Sequence, residues 1–249
     1  MPQHVAHFPS TLLAEATGQL AAWVAVAKLG FRLRPVAGIA HETLYHGTPR
    51  PGDTIDTEIR IDSCENDAVA YQGWARIGGR TVLELHDCVG PMLPLEEFDD
   101  ADAMRDFFGT LCGTGAPVDR FTGLDPVPLT GLERESADLA SAILAVPDDA
   151  PYFADHFPRR PVYPGTLLLD RMTTLAAGMV GDAHPGRQVE VRRVSDVKLR
   201  AFIEPGARLH LRATIDDSVA GRRAAMLEAR VEGQRRAVGG ARVEFEVRG

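Results

Sequence analysis

Residues 53–61 and 207–215 alternate polar and apolar side chains, and each run follows a Pro-Gly pair, Pro51-Gly52 and Pro205-Gly206. Alternation with period two behind a turn signal predicts half-buried strands. A different pattern fills residues 12–29, a mostly apolar run interrupted by Glu15, Gln19 and Lys28. It predicts a buried helix over 11–29, too interrupted to span a membrane. A second helix is predicted from Thr166 to about residue 180, where apolar residues begin behind Pro164-Gly165. Residues 139–146 read as a strand, and Tyr152-Phe153 lead from it into a polar loop ahead of that helix.

These elements repeat. Pro9-Ser10-Thr11-Leu12-Leu13-Ala14-Glu15 aligns with Pro164-Gly165-Thr166-Leu167-Leu168-Leu169-Asp170 at an offset of 164 − 9 = 155. Pro51-Gly52 aligns with Pro205-Gly206, and Gly79 with Gly233, both at an offset of 154. A repeat this long marks two duplicated domains rather than a solenoid. Between the halves the alternation lapses. Residues 101–111 predict a short amphipathic helix capped by Asp99 or Asp100, broken at Gly113-Thr114-Gly115 and followed by extended Asp125-Pro126-Val127-Pro128. The expected division is residues 1–93, a packed linker 94–131, and residues 132–249. The first half has no counterpart to the strand that opens the second, so its sheet is expected to be one element short or completed by other residues.

At 249 residues and 45% hydrophobic content the chain has the size and composition of a soluble two-domain protein with a shared core. Its net charge of −8 argues against nucleic acid. Residues 136–249 carry 17 Lys+Arg against 15 Asp+Glu, so the second half could still meet an acidic partner through Arg159, Arg160, Arg192, Arg193, Lys198 or Arg200. Without a basic region followed by an apolar core near the N-terminus, no signal peptide is expected, and Cys64, Cys88 and Cys112 lack both even number and zinc spacing. A reducing cytoplasm is the expectation.

Several candidates for chemistry are weak. His41 and His46 have no completing ligand for a metal, and His86 and Cys88 share a strand face a full pleat repeat apart. His7-Phe8-Pro9 echoes the second-half motif without its loop. Trp23, Trp74, Phe202 and Phe245 read as core or tunnel wall.

The strong candidate is Asp155-His156-Phe157-Pro158-Arg159-Arg160-Pro161-Val162-Tyr163-Pro164-Gly165, running into Thr166-Leu167-Leu168-Leu169-Asp170. A proline-stiffened loop can hold His156 in one orientation, while the amides of Gly165 and Thr166 are unpaired donors at a helix start. A fixed imidazole beside a donor-rich helix end suits proton abstraction next to a carbonyl.

This segment resembles the bacterial 3-hydroxyacyl-acyl-carrier-protein dehydratases of the hotdog fold, whose signature runs G-H-F-P-G-x-P-V-M-P-G-x-L-x-x-E/D. The spacing from His156 to Asp170 is the family's: 170 − 156 = 14. Asp155 and Arg159 depart from family glycines and Tyr163 from a methionine, changes that bear on substrate shape. The first half keeps Glu15 followed by Gln19 but has no histidine in register, and the second keeps the histidine but has Thr174 in place of the glutamine. In the family the site lies between two protomers.

The resemblance therefore implies an α+β double hotdog, two antiparallel sheets each wrapped around a long helix, with one complete site pairing His156 and Glu15. Asp170 is left opposite no histidine, although its spacing keeps it as the alternative acid. The implied reaction is dehydration of a 3-hydroxyacyl thioester, as in fatty-acid, polyunsaturated or polyketide biosynthesis. His156 takes the proton beside the thioester carbonyl, Glu15 protonates or orients the leaving hydroxyl, and the Gly165 amide holds the thioester oxygen. Phe157, Tyr163, Pro164, Thr166 and Gln19 would contact substrate, and Arg159 and Arg160 would dock acyl carrier protein. No cofactor is implied beyond the carrier's phosphopantetheine. The assembly would be a monomeric pseudo-dimer or a homodimer of double hotdogs. The rival readings are a hotdog thioesterase and a non-catalytic acyl or carrier binding module, and isomerisation of the new double bond is a further activity the reading leaves open.

Overall fold

The computed structural model describes residues 9–116, 126–216 and 223–249. His7 and part of the expected linker lie outside these residues. The chain opens with α1 (Ser10–Lys28), followed by β1 (Leu33–Pro35), β2 (Ile39–Tyr45), β3 (Asp56–Cys64), β4 (Ala68–Ile77) and β5 (Arg80–Pro94). A 3-10 turn, Leu95–Glu97, leads into α2 (Ala101–Cys112). The second half contains β6 (Leu129–Ser136), β7 (Leu139–Ala145), a 3-10 turn Pro151–Ala154, α3 (Gly165–Ala183), β8 (Gln188–Leu199), β9 (Arg208–Ile215), β10 (Arg223–Val231) and β11 (Gly239–Arg248).

All strands join one antiparallel sheet in the order β3-β4-β5-β2-β8-β11-β10-β9-β7-β6, with β1 paired to the far end of β5. The halves meet at β2 and β8, in register from Ile39↔Lys198 to Leu44↔Arg193. Among the described residues the first half thus places four strands on this path against six in the second, with no counterparts of β6 and β7. Among the described residues nothing pairs with the outer edge of β3.

Each half wraps a helix, and the sequence explains the fit. Buried positions on α1 include Leu13, Thr17, Ala21 and Ala25, four residues apart and mostly small, so this face lies close to the sheet. The approach is tight enough that a Cβ at Gly73 of β4 would stand 2.7 Å from Thr17 Cγ2. On α3, Leu168, Leu169, Met172, Leu175, Ala176, Met179 and Val180 are buried. One continuous core joins Leu13, Leu83 and Leu85 of the first half to Leu168, Met172, Leu211 and Phe245 of the second. No helix among the described residues is long and apolar enough to cross a membrane.

Candidate active site at the seam

Both helices begin directly after a proline, Pro9 for α1 and Pro164 for α3, and the N-terminal portions of the two helices meet. Thr166 Oγ1 of α3 donates to Glu15 Oε2 of α1 at 3.0 Å, and Gln19 Nε2, one turn along α1, donates to Glu15 Oε1 at 2.7 Å. The carboxylate is therefore oriented from both halves. At the other helix Thr174 is too short to repeat the role of Gln19, and its hydroxyl donates to the backbone oxygen of Asp170 at 2.8 Å. The Asp170 carboxylate instead accepts from Arg171 Nε at 3.0 Å.

The histidine loop is tied by its own backbone. His156 N donates to Tyr152 O at 2.8 Å, Val162 N to His156 O at 2.9 Å, and Phe157 and Arg160 exchange amide bonds at 3.3 and 3.1 Å. Nδ1 of His156 stands 2.8 Å from Val162 O. A carbonyl oxygen only accepts, so Nδ1 carries the hydrogen and Nε2 of the neutral ring keeps its lone pair. Tyr163 N donates to Ile203 O at 2.7 Å, which fixes the chain just before α3. Gly165 opens α3 where a side chain would run into Leu199, and its amide is one of the donors that a helix start leaves without an intrahelical partner.

A cavity of about 200 Å³ collects these groups: Glu15, Gln19, His156, Phe157, Tyr163, Gly165 and Thr166 all line it. Pro164 is the residue that precedes α3. Asp170 faces a separate cavity of about 1000 Å³ with Arg171 and Thr174, and no histidine lines that cavity among the described residues. Tyr45 and Tyr163 line both. Arg159 and Arg160 sit outside the cavity wall. Arg159 donates to Glu96 O at 3.2 Å and pairs with Asp100 at 2.8 Å, while Arg160 pairs with Glu97 at 3.3 Å and covers the Phe202 ring at 4.6 Å.

Arg34, Tyr71 and Cys88 also line the first cavity; nothing in the sequence pattern singled out Arg34 or Tyr71, and Cys88 was weighed only beside His86. Burial pulls the Arg34 guanidinium down to about 10, with the nearby Glu15 charge opposing. Burial raises the Tyr71 phenol far above its ordinary value, with Cys88 and Glu15 adding to the effect. It pushes the Cys88 thiol up to about 11 against the hydrogen bond from Tyr71. At neutral pH this end of the cavity therefore carries a protonated phenol and thiol.

Comparison with known proteins agrees with the antiparallel sheet and its helices. The chain superimposes on an acyl-ACP thioesterase from Bacteroides thetaiotaomicron with TM-score 0.58 at 12% identity, covering 98% of this chain and 94% of that one. It also superimposes on the tesB protein of Mycobacterium avium with TM-score 0.59 at 10% identity, covering 100% and 91%. At these identities the likeness establishes an α+β hotdog fold alone. Residues 132–234 match the ApeI-like family, described as ApeI dehydratase. A 107-residue stretch is 32% identical to the 3-hydroxyacyl-[acyl-carrier-protein] dehydratase FabZ of Rickettsia bellii, and 32% identical to that of Rickettsia typhi. The matched stretch is 41% of this chain and spans 66% of the length of those relatives. Over residues 132–234, within its second half, the chain is similar to the hotdog 3-hydroxyacyl-acyl-carrier-protein dehydratases.

Proposed function

We propose that the chain is a fused double hotdog that dehydrates a 3-hydroxyacyl thioester, delivered on acyl carrier protein, to the 2-enoyl thioester and water. The observation that carries this reading is one cavity lined by Glu15 of the first half and by His156, Gly165 and Thr166 of the second. His156 Nε2 takes the proton from the carbon beside the thioester carbonyl. Charge moves onto the carbonyl oxygen, which accepts from the Gly165 amide at the helix start. The electron pair then forms the carbon–carbon double bond as the C–O bond to the 3-hydroxyl breaks, and Glu15, oriented by Gln19 and Thr166, directs a proton to the departing oxygen. The proton taken up by the imidazole is the one that Glu15 directs to the departing oxygen, so it leaves in the water, both side chains return to their starting state and no cofactor enters the balance.

The test is mass spectrometry of a 3-hydroxyacyl carrier protein incubated with the purified chain. Loss of one water supports the reading. Release of the free acid would make the chain a thioesterase, and an unchanged substrate would make it a binding module.

A further inference from the structure

A buried charge at the seam is unused by this chemistry. Arg34 of β1 is 7% exposed and lines the cavity with Glu15 and His156. Its partner is Asp99, just before α2 and also 7% exposed, with which it forms an ion pair. The guanidinium carbon lies 4.1 Å from the ring centroid of Phe157, the residue after His156. Phe157 also meets Phe98 edge-on at 5.1 Å, and Arg159 N donates to Phe98 O at 3.0 Å. Residues 94–100 of the connection and Arg34 of the first half thus grip the loop that carries the second half's histidine. A buried ion pair is a weak source of stability, because desolvation offsets most of the attraction. A flat cation on an aromatic face at a fixed point is a good source of orientation.

We propose that Arg34, anchored by Asp99, is a positioning residue that holds the His156 loop in register with Glu15 across the seam. The proposal rests on the dehydratase reading of the site, although its geometry can be measured without turnover. Arg34→Lys keeps the charge and the partner but loses the planar face. Arg34→Met combined with Asp99→Leu removes both charges, so neither is left buried alone.

With a short soluble 3-hydroxyacyl thioester, both variants lower kcat by roughly 10- to 100-fold, the scale of a small misplacement of reacting groups, while KM stays within about threefold. In parallel, nitrogen NMR of 15N-histidine-labelled protein, with His156 assigned by His156→Gln, reads the ring tautomer. The wild type shows a protonated Nδ1 and a bare Nε2, and the variants move toward an average of the two tautomers. A folded double variant with wild-type kcat and unchanged His156 signals overturns the proposal. So does a lowered kcat with unchanged signals, which would assign Arg34 to substrate or Glu15 instead. An inactive wild type whose His156 signals still average in the variants overturns the dehydratase reading and leaves the positioning role standing.

Discussion

His156 is fixed by its backbone bond to Tyr152, its ring bond to Val162 and the Phe157 side chain beneath Arg34, so its Nε2 is presented without freedom to rotate. Removing the ring leaves this framework in place, because the imidazole is only half-buried and the surrounding bonds are main-chain. His156→Ala is expected to abolish dehydration with a melting curve close to that of the wild type; near wild-type turnover would remove the histidine from the mechanism. At this scale the sequence was informative where chemistry has a motif: the signature named His156, and the repeat placed Glu15 opposite it. It was silent on Arg34 and Tyr71 and did not place Cys88 beside Glu15, because a lone residue on a strand acquires its meaning only from sheet pairings far along the chain.

Among the elements, α2 best shows how local signals carry. The sequence left Asp99 and Asp100 open as its cap. In the structure Asp100 accepts from the amides of Asp102 and Ala103, both at 3.1 Å, while Asp99 turns inward to Arg34. The two amides, chiefly that of Ala103, hold the Asp100 carboxyl below its ordinary value, with Arg159 assisting. A depressed carboxylate contributes stability above its unfolded value, and that contribution is lost as pH falls through the folded one. Asp100→Ala should therefore lower the hydrogen-exchange protection of the first turn of α2 at neutral pH, and the gap to wild type should narrow below about pH 4. An equal gap at all pH values would contradict the cap. The two long helices were legible to within a residue at their starts, since proline and apolar spacing are local. The strand count was not: β1 is three residues long, and its place beside β5 depends on the whole sheet.

For the whole molecule, the duplicated sequence folds into one sheet joined at β2 and β8, and that joint aligns the two helix starts. In the proposed site the halves are complementary: one supplies the oriented carboxylate, the other the histidine and the helix amides. Arg159 and Arg160 keep 47% and 44% of their side chains exposed while paired to Asp100 and Glu97, so an acidic carrier could exchange for those partners. Reversing both to glutamate is expected to raise KM for carrier-bound substrate more than for a short soluble thioester, with the difference shrinking as salt screens charges beyond about 8–10 Å. Equal losses on both substrates would assign the pair to holding the loop.

The central claim is that a single site forms across the seam from Glu15 and His156, with Asp170 outside it. The most direct measurement is the steady-state kinetics of Glu15→Gln and Asp170→Asn on one 3-hydroxyacyl thioester. The account predicts that Glu15→Gln lowers kcat by roughly 10²- to 10⁴-fold, the usual contribution of a positioned acid or base, while Asp170→Asn keeps near wild-type turnover. An inactive Asp170→Asn beside an active Glu15→Gln would contradict it.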